Sequence, residues 1–288
     1  MLVVTTIEDF RRAKSTLPGD WGFVPTMGFL HEGHLSLARR AKGENDRVAA
    51  SLFVNPTQFG PNEDFAAYPR DLDRDLKLLE AVGVDLVFHP APEDMYPPHF
   101  QTTVTVEQVT QTLEGAARPG HFRGVATVVA KLFNIVQADR AYFGQKDAQQ
   151  VVVIKRMVAD LAVPTQVVVC PTLREPDGLA MSSRNTYLDP AQRKAAPVLF
   201  RALTTAQDRY EAGQRDGQAL RAAMKHVLDQ ESLAKPEYVS AADPVTLQEL
   251  NRVEDGVLLS MAVRIGRTRL IDNFLLDKGE WLTGETVR

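Results

Sequence analysis

Short apolar runs alternate with longer segments of helical periodicity through the first part of the chain. The runs typical of buried strands lie at 2–5, 21–25, 48–54, 86–89, 140–143 and 167–169. Between them, apolar residues recur with the spacing of one helix face at 35–42, 72–82, 125–136 and 148–161. This alternation predicts an α/β fold in which helices cover both faces of a parallel sheet. Ligands of such sheets bind beyond the carboxyl ends of the strands.

The pattern changes after about residue 185. Two long amphipathic segments and three strand-like runs follow, at 190–210, 218–233, 238–241, 257–263 and 268–272. They predict a smaller α+β domain. The turn-forming sequence Pro176-Asp177-Gly178 lies just before the change. We therefore divide the chain into a catalytic domain at residues 1–180 and a smaller domain at 181–288.

The charge pattern argues against a nucleic-acid or membrane partner. The 288 residues include 33 lysines and arginines against 37 aspartates and glutamates, which gives a formal net charge of −4. Basic residues are adjacent at most in pairs, so no extended basic surface is expected. The longest stretch without a charged residue is 48–62, which is shorter than the ~20 residues that span a bilayer.

The amino-terminal residues and the cysteine content favour the cytoplasm. The sequence MLVVTTIEDF places acidic residues soon after a short apolar start and lacks the basic region of a secretory signal. Cys170 is the single cysteine, so no disulfide can form within the chain. We therefore expect a protein of a reducing compartment.

Two common nucleotide-binding motifs are missing from the sequence. No two glycines are separated by a single residue, so the dinucleotide motif G-x-G-x-x-G cannot occur. Gly28 and Gly33 have the spacing of a P-loop, but His34 and Leu35 stand where Lys and Ser or Thr are required. A Rossmann dehydrogenase is therefore disfavoured, and P-loop phosphate binding is excluded.

A histidine pair follows the second strand-like run, in the segment PTMGFLHEGH at 25–34. A helix that begins here would direct backbone N–H groups and the positive end of its dipole at an anion. His31 and His34 would lie on one face of the first turn, where they could bind phosphate or protonate a departing pyrophosphate. A zinc pair would need further ligands, which do not lie close in sequence. Incidental surface histidines are the other alternative.

A lysine-containing cluster, GQKDAQQ at 144–150, directly follows another strand-like run. Lys146 at the edge of a parallel sheet could hold a phosphate as a point charge. Gln150, one turn later, would reach the same cleft. The structural alternative is a capping box of Asp147 and Gln150, which requires the helix to begin at Asp147.

Two further polar segments follow strand-like runs. REPDGLAMSSRN at 174–185 combines hydroxyl groups, a guanidinium and a turn glycine, which suit a loop that closes over a polyphosphate. NPTQFG at 55–60 places Asn55 and Gln58 where they could hydrogen-bond a hydroxy acid, although the segment alone predicts only a turn. All four clusters lie at the same end of their strands, which favours one shared site.

Five segments together resemble the pantothenate synthetase family, the pantoate:β-alanine ligases of coenzyme A biosynthesis. They are PTMGFLHEGHLSL at 25–37, LFVNPTQFGPNEDFAAYPR at 52–70, RPGHFRGVATVV at 118–129, YFGQKDAQQ at 142–150 and REPDGLAMSSRNTYL at 174–188. The resemblance spans nearly the whole chain. It implies a Rossmann-like nucleotide-binding domain of the His-x-Gly-His adenylyltransferase type, with the smaller α+β domain acting as a lid.

The resemblance implies a reaction in two steps. ATP and pantoate would give pantoyl adenylate and pyrophosphate, and β-alanine would then attack the adenylate to give pantothenate and AMP. A carboxylate resists attack by an amine because it is anionic and has no good leaving group, whereas AMP departs readily. No covalent nucleophile is needed, so Cys170 is expected to be a core residue.

The resemblance also implies residue roles by position. The catalytic group would be His31, His34, Lys146 and Arg184, with His34 as proton donor and Lys146 neutralising charge at the α-phosphate. The ATP site would include these four residues together with Pro25, Thr26, Met27, Gly28, Gly144, Gln145, Asp147, Leu173, Met181, Ser182 and Ser183. In this set Gly144 and Asp147 correspond to ribose contacts, and Leu173 to an adenine contact.

The acid substrate would be bound by a second set of residues. Gln58 and Gln150 would hold pantoate, Arg118 and His121 would lie nearby for a carboxylate or phosphate, and Asn55 would act as a support. The family further implies that the chain forms a homodimer.

The metal ligands are left open. Mg²⁺ is expected to arrive with ATP, held mostly by phosphates and water. The resemblance places a carboxylate at Asp75, but Asp71, Asp73 and Asp75 are more typical of a solvated helix face. Phe29 departs from the small residue that is usual in the family, without removing a polar group.

Two alternatives remain beside the ligase. A nucleotidylyltransferase would share the histidine pair and stop at a nucleotide-linked product, although Gln58 and Gln150 fit a hydroxylated acid better than a phosphorylated acceptor. A non-catalytic nucleotide-binding protein on the same fold would have little use for His31, His34 and Lys146 together.

Overall fold

The computed structural model describes residues 1–61 and 63–287. The chain divides into two compact units. The first comprises Met1–Glu107, Arg118–Gly144 and Val153–Cys170, and the second comprises Gln108–Ala117, Gln145–Val152 and Pro171–Arg288. The functional division between residues 180 and 181 stays a prediction.

Helices and strands alternate through the first unit, whereas later in the chain three helices are followed by a run of strands. The helices are α1 Ile7–Ser15, α2 Glu32–Glu44, α3 Leu72–Val82, α4 Pro92–Met95, α5 Leu113–Ala117, α6 His121–Val136, α7 Ala148–Asp160, α8 Pro190–Ala195, α9 Val198–Glu211 and α10 Gly217–Asp229. The strands are β1 Leu2–Val4, β2 Trp21–Thr26, β3 Arg47–Leu52, β4 Leu86–Phe88, β5 Arg140–Gly144, β6 Gln166–Cys170, β7 Leu173–Arg174, β8 Ala234–Ala242, β9 Gly256–Ile265, β10 Thr268–Asp277, β11 Glu280–Leu282 and β12 Glu285–Thr286. No helix among the described residues is long and apolar enough to cross a membrane.

The first unit contains a parallel sheet with strand order β1-β4-β3-β2-β5-β6. Consecutive strand residues point to opposite faces, and both faces are covered. Val87 packs in an apolar cluster with Leu35 of α2 and Leu79 of α3, whereas the next residue, Phe88, makes an edge contact with Phe10 of α1. The predicted parallel α/β sheet is therefore confirmed.

The direction of chain winding reverses between β2 and β5. From β2 the chain adds β3 and then β4 on one side, and it later returns to add β5 and β6 on the other side. Loops that leave the carboxyl ends of two such strands diverge, so a crevice opens between them at that edge of the sheet. The histidine segment leaves the sheet at Thr26, and β5 ends at Gly144.

The second unit contains an antiparallel sheet with strand order β11-β10-β9-β8. Leu259 and Met261 of β9 share an apolar cluster with Leu203 of α9 and with Leu220 and Met224 of α10. The predicted α+β arrangement after residue 185 is therefore confirmed.

The helices differ from the prediction in several places: α6 begins four residues earlier than expected, and the short helices α4 and α5 were not predicted. The segment 190–210 is two helices, α8 and α9, because Pro197 has no N–H to donate and its ring would clash with the carbonyl group one turn earlier. Helix α1 was not predicted; it is short, at nine residues, and Phe10 is its one buried residue. Its start is set by Thr6, whose hydroxyl accepts the Asp9 N–H at 3.1 Å.

Candidate active site

The segment that follows β2 turns sharply before α2 begins. Gly28 and Phe29 both adopt left-handed backbone conformations, with φ of 83° and 49°. Thr26 stabilises the turn because its hydroxyl donates to the Ser51 carbonyl at 2.8 Å and accepts the Gly28 N–H at 3.2 Å. A Cβ at position 28 would lie 3.1 Å from an Asp75 carboxylate oxygen, so the site favours glycine for space as well as for φ.

Asp75 of α3 stabilises the same turn by accepting two of its backbone N–H groups. Its two carboxylate oxygens accept the N–H groups of Phe29 at 2.6 Å and Leu30 at 2.8 Å, and the residue is 2% exposed. Burial raises the pKa of Asp75, and the two backbone hydrogen bonds offset part of that rise. The expectation of a solvated face is therefore wrong for Asp75, although Asp71 and Asp73 are exposed as expected.

We expect Asp75→Asn to lower the free energy of unfolding by about 1–3 kcal/mol. An asparagine amide can accept one of the two backbone N–H groups but presents its own donor to the other, which leaves a buried donor unpaired. Urea unfolding measures this loss. Asp73→Asn, two residues earlier on the exposed face of α3, is the matched control, and equal losses in the two variants would contradict the assigned role.

His31 and His34 cap the start of α2 reciprocally. Nδ1 of His31 accepts the Gly33 N–H at 3.1 Å, and Nδ1 of His34 accepts the His31 N–H at 3.3 Å. The two rings lie with their centroids 4.0 Å apart and their planes tilted by 39°. The spacing of three residues thus satisfies two backbone donors of the first helical turn.

These hydrogen bonds fix the tautomer of both rings. A ring nitrogen that accepts a hydrogen bond carries no proton, so in the neutral form the proton of each ring is on Nε2. Each imidazole therefore has an Nε2–H donor at its far end. Two such donors at the amino end of a helix can stabilise phosphate charge without two adjacent positive rings.

Asn55 is a buried support for Gln58. It is 1% exposed, and its Nδ2 donates to Gln58 Oε1 at 3.0 Å and to the Gly124 carbonyl at 3.2 Å. Its Oδ1 accepts the hydroxyl of Tyr96 at 2.7 Å. Because Oε1 of Gln58 is the accepting atom, Nε2 is the donating end of that side chain, and it lies 3.2 Å from the sulfur of Met27.

Arg118 and His121 form a second polar group in the first unit. Arg118 makes two 2.7 Å hydrogen bonds to Glu63 and lies 3.1 Å from Nε2 of His121. Nδ1 of His121 is 2.9 Å from the carbonyl oxygen of Gln58. Burial by itself would raise the pKa of Glu63, but the hydrogen bonds and charge of Arg118 outweigh it and lower that pKa. The carboxylate of Glu63 thus neutralises the guanidinium that was expected to face a substrate anion.

The segment after β5 belongs to the second unit. Residues Gln145–Asp147 form a 3₁₀ turn, and α7 begins at Ala148 rather than at Asp147. Gln149 is buried and accepts the Glu114 N–H at 2.8 Å, while Gln150, the next residue, is half-buried.

The loop that follows β7 turns back tightly on itself. Gly178 has a φ of 89° and its N–H donates to the Glu175 carbonyl, and a Cβ there would lie 2.3 Å from the Phe200 ring. Ser182 then accepts the Arg184 N–H at 3.3 Å and begins a short 3₁₀ segment. Ser182 and Arg184 are half-buried, and Ser183 is buried.

The first unit brings one subset of the expected site residues to the carboxyl edge of its sheet. These are Pro25, Thr26, Met27, Gly28, His31, His34, Asn55, Gln58 and Gly144. Arg118 and His121 join this group through the Gln58 carbonyl. The remaining expected residues are in the second unit, and they are Gln145, Lys146, Asp147, Gln150, Leu173, Met181, Ser182, Ser183 and Arg184.

Two supporting residues, Glu63 and Tyr96, were missed in the sequence, and a third, Asp75, was considered but interpreted as solvated. Asp75 shares the buried face of α3 with Leu79, four residues later, and this spacing was a usable signal. Glu63 and Tyr96 offered no such signal, because their partners are 55 and 41 residues away. Within the described residues, no group of three or more His, Cys, Asp and Glu side chains is arranged to hold a metal ion.

A family model and curated relatives match nearly the whole length of this chain. A family model described as Pantoate-beta-alanine ligase matches residues 2–275. The pantothenate synthetase of Roseiflexus castenholzii is 62% identical over 277 residues, which cover 96% of this chain and 100% of that protein. The pantothenate synthetase of Herpetosiphon aurantiacus is 64% identical over 277 residues, with the same coverage of both chains.

Solved structures agree with the sequence comparisons. Pantothenate synthetase from Thermus thermophilus superposes with a TM-score of 0.91 at 50% identity, covering 95% of this chain and 98% of that chain. Pantoate-beta-alanine ligase from Francisella tularensis, solved with β-γ ATP and β-alanine, superposes with a TM-score of 0.78 at 38% identity, covering 96% and 97%. The family model and these matches show that the chain belongs to the pantoate–β-alanine ligase family.

Proposed function

We propose that this chain condenses (R)-pantoate with β-alanine to give pantothenate, using ATP and a pantoyl-adenylate intermediate, and releasing AMP and diphosphate. The observation that carries the proposal is the reciprocal cap of His31 and His34 at the reversal of the parallel sheet. It presents two Nε2–H donors at a helix amino terminus, where phosphate binds favourably. Family membership supplies the reaction type.

In the first step a carboxylate oxygen of pantoate attacks the α-phosphorus of ATP, and the bond to the bridging oxygen of the β-phosphate breaks. Negative charge grows on the departing diphosphate and on the α-phosphoryl oxygens. We assign its stabilisation to His31, His34 and Lys146, and we assign the triphosphate clamp to Ser182, Ser183 and Arg184. Met27, Gly28, Gln145 and Met181 belong to the same proposed ATP site, with Gly144 and Asp147 at the ribose and Leu173 at the adenine.

In the second step the amine of β-alanine attacks the acyl carbon, AMP leaves, and the nitrogen loses a proton. The protein's contribution here is to hold the adenylate so that the amine approaches from one side. We assign the pantoyl group to Gln58 and Gln150. Asn55, whose Oδ1 accepts the Tyr96 hydroxyl, holds Oε1 of Gln58, so Nε2 is the donating end that would turn from the Met27 sulfur to pantoate.

Gln58→Ala is expected to raise the KM for pantoate by about 3- to 10-fold, the loss of one hydrogen bond, with the KM for ATP unchanged. Steady-state kinetics with each substrate varied in turn measure this. Gln166→Ala is the matched control, because Gln166 is an exposed amide at the opposite end of a sheet strand. A pantoate KM that does not respond to Gln58→Ala would remove Gln58 from the binding site.

In the proposal, Arg118 and His121 position Gln58 rather than bind the substrate anion directly. The Glu63 carboxylate already occupies the guanidinium of Arg118, so an anionic substrate would have to displace it or bind beside it. We therefore assign His121 to holding the Gln58 backbone and Arg118 to orienting His121.

Three further elements belong to the proposal. Mg²⁺ enters as a partner of ATP, with phosphates and water as its main ligands. The chain forms a homodimer, which analytical ultracentrifugation would test. It acts in the cytoplasm, a reducing compartment, because its single cysteine cannot form a disulfide within the chain.

The fate of ATP tests the proposed function. Diphosphate exchange into ATP should require pantoate and proceed without β-alanine, whereas AMP and an amide product should accumulate only after β-alanine is added. A nucleotidylyltransferase would instead yield a stable nucleotide-linked product. A folded protein that binds ATP and never releases diphosphate would contradict both assignments and favour a binding role.

A further inference from the structure

A buried polar network crosses the second unit, and we name it the Arg174 network after its central residue. Its other members are Asp272, Asn273 and Gln145. Arg174 is 1% exposed and Asp272 is 3% exposed, and they form a two-pronged ion pair with distances of 2.7 and 2.9 Å. One carboxylate oxygen of Asp272 also accepts the Asn273 N–H at 2.8 Å.

The side chain of Asn273 is hydrogen-bonded to the segment that contains Lys146. Its Nδ2 donates to the carbonyl of Gln145 at 3.1 Å and to the carbonyl of Lys146 at 2.9 Å. Its Oδ1 accepts Nε2 of Gln145 at 3.1 Å. Two consecutive carbonyl groups of the 3₁₀ turn are therefore held by one amide that is 3% exposed.

The same network reaches the loop that carries the proposed triphosphate clamp. Nη1 of Arg174 donates to the Gly178 carbonyl at 3.0 Å as well as to Asp272. Gly178 lies in the tight turn that precedes Ser182, and the backbone N–H of Met181 donates to the Leu173 carbonyl. The strand that carries Asp272 and Asn273 is thus bonded directly to the Lys146 segment and, through Arg174, to the loop before Ser182.

The two neighbours of Asn273 in the same row of the sheet are also polar, but their side chains are not used in hydrogen bonds with any described residue. Ser260 lies directly opposite Asn273 in the pairing of β9 and β10, and Ser240 lies opposite Ser260 in β8. Among the described residues, the hydroxyls of both serines are buried without a hydrogen-bond partner. Asn273 differs from them because both ends of its amide are paired: Nδ2 donates to the backbone carbonyls of Gln145 and Lys146, and Oδ1 accepts Nε2 of Gln145.

We propose that Asn273 is a positioning residue for adenylation, which sets the place of Lys146 by holding the two carbonyl groups of its turn. The inference rests on the proposed role of Lys146 at the α-phosphate. A charge that acts on a transition state must be held within a fraction of an ångström, and a shift of about 1 Å can slow a reaction by about 100-fold. Release of the turn should therefore slow the first step and leave substrate affinity almost unchanged.

The test uses two variants of Asn273 and two reference variants. Asn273→Asp keeps the volume and the acceptor for Gln145 but turns a carboxylate oxygen toward the two carbonyl groups, and Asn273→Ala removes both kinds of contact. Ser260→Ala is the matched control, because it deletes a buried polar atom from the same row of the sheet. Lys146→Ala is the second reference, because it shows how far the exchange rate falls when the ammonium group itself is removed.

Each variant is assayed for diphosphate exchange, for ATP affinity, and for attack of β-alanine on supplied pantoyl adenylate. We expect both Asn273 variants to lose about 10- to 100-fold in exchange rate, with the dissociation constant for ATP and the second step changed by less than about threefold. Ser260→Ala should match the unmodified protein. Melting curves establish that the variants are folded.

The remaining outcomes overturn the inference in distinguishable ways. Equal losses in both steps would make Asn273 a structural residue, as would failure of both variants to fold. Full exchange activity in Asn273→Asp, alongside a slow Lys146→Ala enzyme, would reject Asn273 and retain the proposed role of Lys146. A fast Lys146→Ala enzyme would reject that role and the inference with it.

Discussion

Lys146→Ala should slow formation of pantoyl adenylate by about 100- to 1,000-fold while changing the dissociation constant for ATP by less than about threefold. The charge on the α-phosphoryl group and on the departing diphosphate is greater in the transition state than in bound ATP. An ammonium group placed there therefore stabilises the transition state more than the ground state. Its removal should appear in kcat for diphosphate exchange rather than in binding.

Single-turnover measurements with pantoate and ATP, combined with equilibrium titration of ATP, separate the two effects. Lys155→Ala is the control, since Lys155 is an exposed lysine on the helix that begins at Ala148. The assignment fails if Lys146→Ala weakens ATP binding by as much as it slows the reaction, because Lys146 would then contribute only to ground-state binding.

Asp272→Asn should lower the free energy of unfolding by about 3–5 kcal/mol, which is the largest stability change that we expect from a single substitution in this chain. The amide keeps the volume of the carboxylate but removes its charge, so the Arg174 guanidinium remains buried without a counter-ion. That guanidinium also lies against the rings of Phe200 and Phe274, at 4.9 and 5.2 Å from their centroids, and cannot be rehydrated without opening the core.

Urea unfolding of Asp272→Asn beside Asp229→Asn provides the measurement. Asp229 pairs with Lys225 on an exposed helix face, where both side chains are at least half exposed, so its loss should change the unfolding free energy by about 0–1 kcal/mol. If the two variants lost the same small amount, the buried pair would not carry the charge that its geometry requires.

The local sequence pattern was sufficient to predict the parallel sheet of the first unit. Its strands are short continuous apolar runs because both faces are covered, and Val87 and Phe88 illustrate this by packing in opposite directions. The polar segments could then be placed at one edge, since parallel strands all end on the same side. The break between α8 and α9 was also present in the sequence, as Pro197, but the amphipathic pattern on either side concealed it.

Candidate site residues could be proposed from the sequence because they lie in short polar segments, whereas the residues that support them lie elsewhere in the chain. Asn273 is 127 residues from Lys146, and Asp272 is 98 residues from Arg174. An Asp-Asn pair within an apolar strand gives no indication of which carbonyl or guanidinium it will meet. Asp75 was recoverable from its position on the apolar face of α3, but the neighbouring exposed aspartates favoured the wrong interpretation.

The reciprocal cap gives the two ends of each imidazole separate tasks. The Nδ1 end closes the first turn of α2, and an asparagine amide has the reach to do the same. The Nε2 end faces the substrate in the proposed reaction, and only an aromatic ring spans both distances rigidly. A homologue that had abandoned the chemistry would still need a capping residue at both positions. We therefore expect Asn, Ser or Asp in place of His31, with Glu or Gln in place of His34, to mark relatives that have kept the fold and lost the reaction.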